Sequence, residues 1–104
     1  MNFFIAQTAS VAPTATVTDR ATIYNRAVVC QFARVCDGAL VKGASYVGGH
    51  AVISGSAEIH DFTKVDGNAQ VGGTAWVYGS TILEGDVTLY RRTISNVHWW
   101  KDIP

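Results

Sequence analysis

The side chains in this 104-residue sequence best suited to acid–base, metal or nucleophile chemistry are three histidines and two cysteines. His60 stands directly before Asp61, a pairing in which the imidazole takes a proton as general base and the carboxylate orients it. His50 is a second candidate base. Cys30 and Cys36 lie six residues apart, so there is no CxxC pair, and neither a nucleophile elbow nor a phosphate-cradling loop occurs in the chain.

What must position these groups is a repeat. An aliphatic residue returns at every sixth place from Ile5 through Val11, Val17 and Ile23 to Leu83 and Leu89 without a slip of register. Two places before each, from position 9 onward, stands a small or short β-branched residue, from Ala9 and Ala15 to Thr81 and Val87. Side chains two apart share one face of an extended strand, whereas a six-residue period fits no helix. The residue two places after each aliphatic, from 19 to 85, is Asp, Asn, Gln or Gly. Apart from Gln these types readily adopt the positive φ of a sharp corner, Gly most easily. Short strands joined by regular corners describe an all-β parallel solenoid. The period alone fits a two-sided coil of 12 residues as well as a three-sided coil of 18.

The V-x-G-x-A-x units resemble the hexapeptide-repeat family over nearly ninety of the residues. That resemblance implies a left-handed parallel β-helix of about five triangular 18-residue coils, in the manner of the trimeric acyltransferase-like superfamily. Glycine here usually stands two places after the aliphatic, rather than directly after it as in the best-known acyltransferases. The chain divides accordingly into an entry coil or cap over 1–10, with Phe3 and Phe4 available to plug the open end. The repeat follows over 11–89 and a C-terminal capping tail over 90–104, where Arg91, Arg92 and an early Ile94 break the pattern.

A three-sided coil stacks outward residues at intervals of 18. One face then carries Phe4, Thr22, Leu40, Glu58 and Trp76, and a second Ser10, Val28, Tyr46, Lys64 and Ile82. Both are more apolar than a solvated face requires, which marks an interface. The resemblance implies a homotrimer packed through Val28, Leu40, Tyr46, Trp76 and Ile82. One corner column reads Tyr24, Lys42, His60 and Tyr78, with Arg26 nearby, and is the candidate ligand-binding corner. Hexapeptide acyltransferases use a corner histidine as general base beside a cleft for acyl-CoA, which places His60 or His50 in that role. The hexapeptide carbonic anhydrases bind zinc through three histidines, two of them close in sequence. His50, His60 and His98 do not follow that spacing, so no metal is expected.

Charge narrows the partners. Eight basic and eight acidic side chains leave no net charge and no basic patch for nucleic acid. No 18-residue apolar segment occurs that would span a membrane. Cys30 and Cys36 fall on successive corners, too far apart for a disulfide, which fits reduced thiols in the cytoplasm. The expected function is a small non-catalytic trimeric module, without cofactor, that binds a partner protein or small ligand at its inter-subunit clefts. The alternative is a minimal acyltransferase using acyl-CoA.

Overall fold

The computed structural model describes residues 3–96 and 98–99. Two-residue strands recur at every sixth position, each pairing outward residue with inward aliphatic, as in Thr22–Ile23, Val28–Val29 and Arg34–Val35. Every strand pairs in parallel with the strand one coil on, and the register decides the coil length: Phe4 pairs with Thr22, Thr22 with Leu40, and Leu40 with Glu58. The spacing is eighteen residues, so the coil has three sides. Three parallel sheets result, and no helix occurs among the described residues. The first holds Phe4–Ile5, Thr22–Ile23, Leu40–Val41, Glu58–Ile59, Trp76–Tyr78 and Thr93–Ser95. The second runs from Ser10–Val11 to His98–Trp99, and the third from Thr16–Val17 to Thr88–Leu89. The whole is a β-solenoid of about five coils, 35 Å long and 21 Å across.

The core is the column of inward aliphatics and the small residues two places before them. From Ala21 to Leu89 both sets are buried, because each coil covers the previous one. Small residues are needed where two sides of the triangle converge, since a large side chain would meet the opposite wall. At the corners, position two after the aliphatic adopts φ between 56° and 75° at every unit from Asp19 to Gly85, Gln31 included. The polar residues among them do a second job. The side chains of Asp19, Asn25, Gln31, Asp37 and Asp61 each accept the backbone N–H of the matching residue one coil on. That ladder fills a donor the corner would otherwise leave open, and it explains how a glutamine holds a left-handed position.

Both ends depart from the sequence expectation. Phe3 and Phe4 do not plug the first coil: they are 41% and 51% exposed. Phe4 starts a strand at an outward position, beside Thr22, and its ring lies 6.0 Å from that of Tyr24. Strand alternation, which turns Ile5 inward, turns Phe4 out. At the other end, the described part of the tail adds strands to the first and second sheets. Thr93 pairs with Trp76 and His98 with Ile82, so the coil tightens from eighteen residues to seventeen and then sixteen. This places the early Ile94 in the core column next to Val77. The corner at Tyr90–Arg92 is a residue shorter than the others and has no positive φ, and Asn96 supplies the next left-handed position. Val97 and Trp100 lie outside the described residues.

Candidate functional site

The coil length of eighteen sets the site. Glu58 and His60 are two apart, so both leave the first sheet on its outer side, flanking the inward Ile59. Trp76 and Tyr78 are their equivalents one coil on, and the four form a two-by-two array at the corner between the first and second sheets. His60 Nε2 lies 2.7 Å from Glu58 Oε1, and Trp76 Nε1 donates to the same oxygen at 2.8 Å. The two nitrogens are also only 2.9 Å apart. A 2.7 Å separation of nitrogen from carboxylate oxygen needs a proton between them, which we assign to Nε2. Two N–H donors then converge on one acceptor, and the nitrogen–nitrogen approach is their shared geometry rather than a third bond. In the neutral imidazole Nδ1 is left carrying the lone pair.

Packing holds the arrangement. The His60 side chain is only 14% exposed, and its ring meets that of Trp76 edge-on at 5.6 Å. The Tyr78 ring lies 6.1 Å from Trp76. His60, Asp61, Trp76 and Tyr78 line a hollow of about 200 Å³. A second hollow, of about 360 Å³, opens on the other side of Trp76 between Ser56, Glu58, Thr74 and Thr93. The hydrogen bond from His60 lowers the Glu58 pKa; partial burial opposes it, while the Trp76 N–H and the nearby Lys42 charge act in the same direction as His60.

The carboxylate that orients His60 is therefore Glu58 and not Asp61. Asp61 sits at φ 63°, and its side chain accepts the Gly79 N–H at 3.0 Å instead. Sequence neighbours at a left-handed corner diverge, whereas residues two apart along a strand converge. The signal for Glu58 was present in the E-I-H spacing.

The other candidates spread along the prism. Tyr24, Lys42, His60 and Tyr78 occupy one corner column, as the register requires. Tyr24 packs toward Phe4, and Arg26 lines a separate hollow with Thr8, Asn25 and Gly43, so neither reaches the His60 array. His50 lies on a different corner, exposed and stacked on Phe32 at 5.1 Å, and shares nothing with His60. Among the interface candidates, Val28, Leu40, Tyr46 and Ile82 are half-buried and Trp76 is 45% exposed. Lys64 sits 5.5 Å over the Tyr46 ring. A hydrogen bond with Cys30, then burial, push the Tyr46 phenol up to about 12.

Cys30 and Cys36 are free thiols. Possible ligand atoms of Asp19, Cys36 and Asp37 lie within 4.8 Å of one another. Both carboxylates, however, already accept backbone N–H groups, from Asp37 and Gly55. Among the described residues no helix is long and apolar enough to cross a membrane. Compared with protein-family models, curated proteins and solved structures, the chain matches none.

Proposed function

We propose that this chain is a hexapeptide-repeat, left-handed β-helix that works as a trimeric binding module, packed through its first and second sheets. It takes a partner protein or small ligand in the clefts at the corner between them. The observation that carries this reading is the aromatic surface along one corner of the prism. Phe62 is 71% exposed, Phe4 51%, Tyr24 48%, Trp76 45% and Tyr78 38%. So many large rings on one edge of a small rigid body suit an interface better than open water.

Sedimentation velocity and native mass spectrometry test it. The expected species is a trimer, reduced to single chains in the Phe62→Ser/Trp76→Ser variant. A wild-type chain that stays single at high concentration, or a variant that still trimerises, overturns the reading. A small-molecule adduct on the trimer identifies the ligand.

One observation favours a second reading, that of a minimal acyltransferase. An imidazole held by Glu58 through Nε2, with its lone pair on Nδ1, has the arrangement of a general base. In that reading acyl-CoA is the donor substrate and His60 deprotonates the acceptor. Unchanged acetyl transfer by His60→Ala would eliminate it.

A further inference from the structure

The hydrogen bonds around His60 decide what the hollow beside it has left to offer a ligand. Its walls are His60, Asp61, Trp76 and Tyr78. Two of these carry a side-chain N–H, and both are spent on Glu58: Trp76 Nε1 donates to Oε1, and His60 Nε2 lies 2.7 Å from the same oxygen. An anion in the hollow therefore finds one unspent side-chain donor in its walls, the Tyr78 hydroxyl. Acceptors are left over. Asp61 gives Oδ2 to the Gly79 N–H, which leaves Oδ1 unused. Asp61 makes no ion pair among the described residues. Neutral His60 keeps a lone pair, on Nδ1.

The other walls are rings. Trp76 and Tyr78 are both exposed, and their planes incline at 57° with centroids 6.1 Å apart. The face of an aromatic ring is the negative part of its quadrupole and attracts a cation, most strongly in tryptophan. The chain makes such a contact elsewhere, with Lys64 over the Tyr46 ring on the second sheet. At the hollow no cation of the chain plays that part. Lys42 stands one coil before His60 and is not among the lining residues.

We infer that this hollow binds an organic ammonium group, seated against Trp76 and Tyr78 and paired with the Asp61 carboxylate. The inference rests on the proposed function for the ligand's place at this corner, and it does not need the trimer. Charge and size choose the ligand. Spent donors and a free carboxylate turn anions away, whereas a cation gains from both the carboxylate and the rings. A volume of about 200 Å³ lies below the ~300–1,000 Å³ of pockets that enclose drug-sized ligands, so what enters is a headgroup. The rings favour an alkylated ammonium, because a bare ammonium is strongly hydrated and methyl groups pack on aromatic carbon while the charge stays. A free quaternary amine and a methylated lysine side chain of a partner protein share this chemistry.

The test follows the Trp76 indole N–H by nitrogen–proton correlation NMR on the full chain, the signal being assigned by its loss in Trp76→Phe. Choline, its neutral carbon isostere neohexyl alcohol, and sodium acetate are titrated at equal ionic strength. Choline is expected to shift the signal saturably, with the weak, millimolar affinity of an open site, and the isostere to bind roughly tenfold more weakly. Asp61→Asn removes the charge and keeps the corner, since Asn25 in the same column holds a left-handed φ and accepts the Gly43 N–H in the same way. It should weaken choline roughly threefold, with circular dichroism unchanged. A trimethyl-lysine peptide that binds more tightly than choline assigns the ammonium to a partner's side chain, and one that binds less tightly assigns it to a free amine; both agree with the inference. No saturable shift with choline or the peptide, an isostere or acetate that binds as well as choline, or undiminished choline binding by Asp61→Asn would each overturn it. Sedimentation velocity on the same samples keeps the two readings apart. A trimer that ignores choline and the peptide removes the inference and leaves the trimeric module, and binding by single chains does the reverse.

Discussion

Thr63→Val should stabilise this protein, and the reason lies at the corner that carries His60. In the second sheet the small inward position is filled successively by Ser45, Thr63 and Thr81, one above another at the coil spacing. All three are buried. Ser45 Oγ donates to the Lys42 carbonyl at 2.6 Å, and Thr81 Oγ1 to the Tyr78 carbonyl at 2.9 Å, in each case the corner residue three places back. Thr63 Oγ1 has no partner among the described residues, although His60 holds the matching place. A buried hydroxyl left without a partner costs about 1–3 kcal/mol. Valine has nearly the same shape and replaces the hydroxyl with a methyl group in the buried column between Ser45 and Thr81. The expected gain is about 1–2 kcal/mol, or roughly 4–8 °C in Tm for each kcal/mol in a domain of this size. Thr81→Val has the opposite sign, because it removes a bond already made and should cost about 1 kcal/mol. Urea titrations of the three proteins, compared at unchanged m, read both effects. A Thr63→Val protein less stable than wild type by about 1 kcal/mol would show that the hydroxyl is satisfied in solution and refute the reasoning.

Three other outcomes follow from the same geometry. Gly73→Ala should cost at least about 2 kcal/mol, because its Cβ would stand 2.2 Å from the Tyr90 carbonyl oxygen at φ +57°. Gly38→Ala, whose nearest contact is 3.6 Å, should stay within about 0.5 kcal/mol in the same melts. The Glu58 carboxyl is held below its unfolded value, so its contribution is complete above the ordinary carboxylate pKa and is lost as pH falls through the depressed folded one. Trp76→Phe removes one donor, so its stability should fall less steeply across that acid window. The difference stays under about 1 kcal/mol because Glu58 is 40% exposed, and equal slopes would deny the Trp76 bond its role. Burial, then Asp37, push the Cys36 thiol up, so native alkylation at neutral pH should be far slower than in urea and should accelerate as pH rises. Equal rates in the two states would contradict that burial.

How much could be read before the fold was seen depends on the range of the interaction. The period of six, the inward columns and the corner positions are local: strand alternation fixes the first two and backbone sterics the third. Asp19, Asn25, Asp37 and Asp61 were therefore legible as left-handed corners, and even Gln31 followed from its place in the series. Cys30 and Cys36 on successive corners as free thiols were legible for the same reason. The choice between twelve and eighteen residues per coil is not local. It depends on which strand packs beside which, and only the pairing of Phe4 with Thr22 settles it. From that pairing comes everything at the candidate site. Trp76 reaches Glu58 because they are neighbours across coils, and His60 turns to Glu58 because Asp61 is drawn to the Gly79 amide one coil further. The sequence by itself determined a rung and its repetition, because each rung is governed by contacts within a few residues. The tertiary structure decided which rungs touch, because that is fixed by hydrogen bonds and packing between residues eighteen apart.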